Sequence, residues 1–324
     1  MITLNNINKT FRVAKRQAGL GHAVKALFSR DYEIIHALKD VSFVIGDGEM
    51  VGYIGPNGAG KSTTIKIMCG ILTPDSGTCD IDGRTPWRER SSHVHEIGVV
   101  FGQRSQLWWD VPIIDSFLLI RDIYKVDKKL FMNNLDELVE LLDLRETIKT
   151  PARNLSLGQR MRCEIAASLL HSPKTLFLDE PTIGLDAVSK IAVRQFIKKL
   201  NSERGTTVIL TTHDMQDIEA LTERILLIGR GRILLDGSLG ELKKRSSEHK
   251  TLVVEYNGAA PDICEGMTLS ESKDGRYVIV LDPQVLPVSE AIARLAAHTE
   301  LTDISVSGAT SEEMVAALYK EYRI

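Results

Sequence analysis

Short apolar runs bounded by turn residues punctuate this chain. They read as strands at residues 2–8 (ending near Phe11), 37–44, 50–54, 78–81, 97–101, 175–178, 207–211, 225–228 and 233–235. Gly46-Asp47-Gly48-Glu49 turns the chain into the third run, and Asp82-Gly83 closes the fourth. Between residues 112 and 150 the apolar period lengthens. Leu135, Leu138, Val139 and Leu142 share one helical face, with Asp136, Glu137 and Glu140 off it. A further helix is expected from near Ser156 through Ala166, Ala167, Leu169 and Leu170, and Pro173 stops it. Residues 189–200 and 217–221 also carry the helical pattern. Strands alternating with helices predict an α/β fold with an open, mostly parallel sheet. The strandless block from about 105 to 172 is expected as an inserted helical subdomain. Strands at 251–256, 277–282 and 302–306, with helices at 289–297 and 311–322, predict a small C-terminal α+β domain.

One loop in this pattern carries specific chemistry. Gly55-Pro56-Asn57-Gly58-Ala59-Gly60-Lys61-Ser62-Thr63 follows the strand 50–54 and opens a helix, which is the strand–loop–helix setting of a P-loop. Glycines let backbone N–H groups converge on an anion, and the helix N-terminus adds its positive dipole end. Lys61 is placed to reach the outer phosphates of a nucleotide, and the Ser62 hydroxyl to ligate Mg²⁺.

The run 175–178 ends in Asp179-Glu180, the Walker B form. Asp179 is expected to hold Mg²⁺ through water, since that ion keeps part of its hydration shell. Glu180 is then placed to orient or deprotonate an attacking water. His213 follows the strand 207–211. It reads either as an incidental histidine or as a donor to a γ-phosphate oxygen. In Asn154-Leu155-Ser156-Leu157-Gly158-Gln159-Arg160, a serine and a glycine at a helix start make a second anion-binding cap.

Composition narrows the class. Hydrophobic content of 43% and charged content of 26% fit an ordinary globular chain of 324 residues, long enough for two domains. No apolar run approaches the roughly 18 residues that would suggest a membrane span. The start has neither the basic nor the apolar region of a signal peptide. The four cysteines are scattered, which favours free thiols in a reducing compartment. A net charge of −3 gives no nucleic-acid signature. Residues 246–324 carry 6 Lys/Arg against 13 Asp/Glu, so a boundary is expected near there, with domains at 1–245 and 246–324. Residues 9–30 hold Lys9, Arg12, Lys15, Arg16, Lys25 and Arg30 and no acid. That stretch reads as a solvated loop or as a surface toward anionic lipid headgroups.

Taken together, the P-loop, Leu155-Ser156-Leu157-Gly158-Gln159, Asp179-Glu180, Gly184-Leu185-Asp186-Ala187 and His213 occur in the order and spacing of one family. Over residues 1 to about 243 the chain resembles the ATP-binding subunit of an ABC transporter. The resemblance implies ATP and Mg²⁺ as cofactors and ATP hydrolysis coupled to transport. It implies that Gln103 contacts Mg²⁺ and the attacking water, Gln106 being the other candidate, and that Phe11 stacks on adenine. It further implies two copies head to tail, with Ser156 and Gly158 of one, and the adjoining Gln159, facing the γ-phosphate held by Lys61 of the other. Asp186 would communicate between the sites. The family's commonest signature has glycine where Leu157 stands. Trp108-Trp109 follows the region that meets a membrane subunit, and these rings fit either that interface or the core of the helical block. Gly231-Arg232-Ile233-Leu234-Leu235-Asp236-Gly237-Ser238, followed by Glu241-Leu242, is similar to the exporter branch with separate membrane subunits. The basic stretch is similar to polysaccharide and lipid exporters, and residues 303–322 to drug exporters. The implied partners are a second ATP-binding subunit (a homodimer) and integral membrane permease subunits. The implied place is peripheral, on the cytoplasmic face of a bacterial membrane. An importer ATPase and a soluble regulatory ATPase are the alternatives.

Overall fold

The computed structural model describes residues 1–14, 32–102, 104–212, 214–241, 250–258, 260–308, 315, 318 and 319. The chain divides into two compact units, Met1–Asp236 and Gly237–Ile324, a boundary somewhat earlier than the charge shift near residue 246.

The first unit is built on a six-stranded sheet. Its strands are β3 (Met50–Ile54), β5 (Ile97–Phe101), β6 (Thr175–Asp179), β7 (Thr207–Thr211), β8 (Arg224–Gly229) and β9 (Arg232–Ser238), in the order β5-β6-β7-β3-β8-β9. The pairs β5/β6, β6/β7, β3/β7 and β3/β8 are parallel. The near-continuous burial of β3, β6 and β7 is what a sheet covered on both faces requires. β1 (Ile2–Ala14), β2 (Tyr32–Ile45) and β4 (Ser76–Ile81) do not extend this sheet. They form a separate antiparallel one in the order β2-β1-β4. Ile2, Leu4, Ile7, Leu38, Val41 and Phe43 of that sheet share one core with Val51 and Tyr53 of β3 and with Ile65 and Ile67 of helix α1 (Lys61–Met68). The helix after the P-loop is thereby fixed in the core, which sets the loop rigidly at the end of β3.

After the short helix α2 (Arg90–Val94) and β5, the expected helical block appears as α3 (Ile113–Tyr124), α4 (Lys128–Leu141) and α5 (Leu157–Leu169). Asp127 caps α4 by accepting from Lys129 N and Leu130 N. Phe117 of α3 and Phe131, Leu135 and Leu138 of α4 are buried. Helices α6 (Ala187–Arg204) and α7 (Met215–Leu221) complete the unit. Among the described residues no helix is long and apolar enough to cross a membrane.

The second unit is a four-stranded antiparallel sheet, β11-β12-β10-β13, with helix α8 (Val288–His298). Its strands are β10 (Lys250–Asn257), β11 (Met267–Lys273), β12 (Arg276–Leu281) and β13 (Glu300–Gly308). Leu252, Val254, Ile279 and Leu281 of the sheet meet Ala291 and Leu295 of α8 in a core of their own. Sequence pattern misses β11 because it is an edge strand whose one buried residue is Met267. Of the expected helix at 311–322, Val315, Leu318 and Tyr319 are described and helical.

Candidate functional site

The parallel strands β3 and β6 flank β7 in the sheet, and the loops at their C-terminal ends line a cleft of about 630 Å³. Pro56, Asn57, Gly58, Gly60, Lys61, Ser62 and Thr63 line one side, with Asp179 and Glu180 opposite. Gly55 and Ala59 stand behind this lining. Ala59 is buried, its carbonyl accepting from Gly231 N at 2.9 Å. Gly60 is the N-cap of α1 at φ 117°, and a Cβ there would meet the Ala37 carbonyl oxygen at 2.8 Å, so only glycine fits. The first-turn N–H groups of α1 have no acceptor within the helix and open onto an anion site. Thr64 Oγ1 donates to Gly60 O at 3.1 Å and shares a 3.0 Å hydrogen bond with the buried Tyr53 hydroxyl, pinning this turn from below.

Lys61 is 7% exposed. Its ammonium donates to the carbonyls of Gly55 and Pro56. Burial lowers its pKa, and the carboxylates of Glu180 and Asp179 act in the opposite direction. Ser62 Oγ donates to Asp179 Oδ2 at 3.5 Å, while Thr211 Oγ1 donates to Asp179 Oδ1 at 2.5 Å. Glu180 holds a left-handed backbone, φ 59°, with its N–H donating to Thr211 O at 3.0 Å. The site therefore sets one buried cation, two carboxylates and a ring of backbone donors around a single cleft, which suits a polyphosphate.

Other expected site residues lie elsewhere. Phe11 does not line the cleft, although its cross-strand partner Ile35 does. Lys9 Nζ sits 5.8 Å from the centre of the Phe11 ring. Ser156 is the N-cap of α5 in a capping box: its hydroxyl accepts from Gln159 N at 3.2 Å, and Gln159 Oε1 accepts from Ser156 N at 3.0 Å. The Gln159 side chain is thus engaged at its own helix start. Gly158 is buried, and a Cβ there would meet Ser189 Oγ at 2.4 Å, so the glycine lets α5 approach the first turn of α6. Asp186 caps α6, accepting from Ser189 N at 2.8 Å and Ser189 Oγ at 3.0 Å, which holds its carboxyl below the usual range. Leu157, the departure from the commonest signature, lies over Gly184. Ser156, Gly158, Gln159 and Asp186 line no part of their own chain's cleft. Gln103 and His213 lie outside the described residues, as do Lys15, Arg16, Lys25 and Arg30 of the basic stretch.

Gln106 points away from the phosphate cradle. Its N–H donates to Glu164 Oε2 at 3.2 Å and its side-chain amide to Glu164 O at 3.1 Å. Glu164 itself was not expected. It is buried on α5 and also accepts from Ser105 Oγ; burial raises its pKa, and those hydrogen bonds oppose the rise. Trp108 and Trp109 are 58% and 51% exposed, so neither packs inside the helical block. Arg160 lies 5.4 Å from the centre of the Trp109 ring.

Sequence reasoning also missed a polar cluster behind Glu180. The fully buried Asp217 accepts from Thr182 Oγ1, from Thr212 Oγ1 at 3.0 Å and from Arg194 Nε at 2.5 Å. Asp214 caps α7 and pairs with Lys190 at 2.5 Å. Burial works against the charge of Asp214, but Lys190, Gln216 N and Arg194 outweigh it and lower its pKa. These three segments are ordinary in sequence and meet only in the fold.

Comparison with known proteins agrees with this geometry. A family model described as ABC transporter matches residues 38–183. The ATP-binding protein YhcH of Bacillus subtilis is 34% identical over 61% of this chain, an alignment spanning 63% of that protein. The daunorubicin resistance ATP-binding protein DrrA3 of Streptomyces coeruleorubidus is 33% identical over 67% of this chain and 68% of its own length. The methionine import ATP-binding protein MetN of Vibrio vulnificus is 30% identical over 75% of this chain and 66% of its own. Among solved structures, a dimeric ATP-binding cassette in a post-hydrolysis state with ADP and Pi superposes with a TM-score of 0.61 at 29% identity, covering 74% of this chain and 99% of that one. With its P-loop cleft, its paired carboxylates and these relatives, the chain belongs to the ATP-binding proteins of ABC transporters and is an ABC ATPase.

Proposed function

We propose that this chain is the ATP-hydrolysing subunit of an exporter. Two copies close on ATP and drive transport through separate membrane subunits from the cytoplasmic face. The observation that carries the membrane partner is the exposed pair Trp108-Trp109, on the loop between β5 and α3. Large aromatics left half-exposed on a loop are the composition of an interface hot spot. Outward transport rests on the exporter-like stretch 231–238 and on relatives such as DrrA3, whose name records drug resistance. Inward transport is the second reading, because MetN is comparably similar and is named for import.

Ser62 and Asp179 supply two hard oxygen donors 3.5 Å apart. Mg²⁺ needs few protein ligands when phosphate oxygens and water complete its shell, so this pair fits that ion. When bound, Mg²⁺ would neutralise phosphate charge. Lys61 and the loop N–H groups orient the polyphosphate, and Glu180 takes the proton of the attacking water.

Trp108→Ala and Trp109→Ala test the membrane partner. With the rings solvent-exposed, the free subunit should keep its melting temperature and basal ATPase. Its retention by co-expressed membrane subunits should fall, with a loss of ~2 kcal/mol or more of association energy at a hot spot. Unchanged retention in both variants would remove the support for this contact.

A further inference from the structure

We propose that Asp217 is a positioning residue for ATP hydrolysis: through Thr182 it fixes the backbone that aims Glu180. Glu180 occupies the left-handed region, φ 59°, which a side chain of its type rarely adopts. Such a conformation persists only where the surroundings hold it. Upstream the hold is visible. Glu180 N donates to Thr211 O at 3.0 Å, and Gly102 N donates to Asp179 O at 2.7 Å. Downstream, two residues beyond Glu180, Thr182 Oγ1 donates to Asp217 Oδ2. The same oxygen accepts from Thr212 Oγ1 at 3.0 Å, and Thr212 adjoins the Thr211 that holds both Asp179 and Glu180. One buried carboxylate oxygen thus closes a ring from Glu180 through Thr182, Asp217 and Thr212 back to Thr211. The other oxygen, Oδ1, accepts from Arg194 Nε at 2.5 Å, which tethers the ring to α6, the helix that Asp186 caps.

Apart from Glu180 itself, no member of this ring lines the cleft. Loosening it should therefore leave nucleotide affinity intact and disturb the placement of the base, which shows as a loss of kcat at constant KM. Removing Asp217 outright would also break its ion pair with Arg194 and leave that guanidinium only the longer contact with Asp214 at 3.4 Å, so the cleaner probe keeps the ion pair and removes one hydroxyl.

Thr182→Val is nearly isosteric and leaves Asp217 with Arg194. In the full-length chain it should lower kcat ~10-fold or more, the scale set by misplacing a catalytic group by a fraction of an ångström to an ångström. KM and the equilibrium affinity for ADP should stay within about twofold, both being set by the untouched P-loop. Thr182→Ser, which retains the hydroxyl, should restore turnover, and Thr212→Val should resemble Thr182→Val. In a Glu180→Gln background Thr182→Val should add little, since it acts through the side chain already disabled. Wild-type kcat in both valine variants would overturn the proposal. So would an equal fold-loss in the Glu180→Gln background, or a parallel fall of ADP affinity and kcat with no rescue by serine.

Discussion

Replacing Glu180 by glutamine is expected to leave ATP bound and to lower its turnover by ~10²-fold or more. The two acidic residues at the end of β6 are not equivalent. Asp179 faces the Ser62 hydroxyl at 3.5 Å and is braced by Thr211 at 2.5 Å, which under the proposed function would set it beside the phosphates and their cation. Glu180 lies one residue further on, turned by its left-handed backbone and lining the same cleft. Glutamine keeps the shape and loses the base. Because Lys61, Ser62 and Asp179 are untouched, the ATP-bound state should accumulate. Purified Glu180→Gln that releases phosphate near the wild-type rate would remove Glu180 from its catalytic role.

Lys61→Ala is expected to weaken nucleotide binding and to lower hydrolysis by ~10²–10³ or beyond, the range for losing one preorganised donor to developing charge. The ammonium is the cation that lines the phosphate side of the cleft together with the loop N–H groups, with Lys66 further along α1. Its stem is buried and its head rests on the Gly55 and Pro56 carbonyls, within reach of an incoming phosphate. Without it, the carboxylates of Asp179 and Glu180 would face a polyanion across a partly desolvated cleft. Equilibrium binding of a fluorescent ATP analogue, read beside phosphate release, separates the two effects. Survival of both would mean that the loop does not hold nucleotide.

How much of this was legible in the sequence depends on range. The P-loop and Asp179-Glu180 are contiguous and sit where strand ends and helix starts dictate, so their placement around one cleft could be expected residue by residue. Ser156 at a helix start was readable from residue type and position; the capping of α6 by Asp186 was not read, because that helix was expected only from residue 189. The separate β2-β1-β4 sheet was not, because antiparallel pairing of residues 2–14 with 32–45 and 76–81 leaves no local period to distinguish it from a parallel strand. The polar edge strand β11 escaped because it buries too little to alternate. Asp217 escaped for a different reason. Thr182, Arg194, Thr212 and Asp217 are common residue types in three separate segments, and only their convergence gives them a role. Leu157, where the commonest signature has glycine, lies over Gly184 in the fold, beside the start of α6. Phe11 was placed by resemblance alone, and the structure leaves its ring off the cleft wall that Ile35 and His36 provide.

Light scattering of the Glu180→Gln chain with ATP, with and without Ser156→Arg, tests most directly whether one nucleotide is held between two copies. Ser156 lines no part of its own cleft, so the arginine variant should still bind ATP through Lys61 and its loop, losing only the cap of α5 at a cost of ~1 kcal/mol. The expected result is a dimer for Glu180→Gln and a monomer for the double variant at equal ATP occupancy. An unaltered dimer fraction in the double variant would contradict a site shared across the dimer.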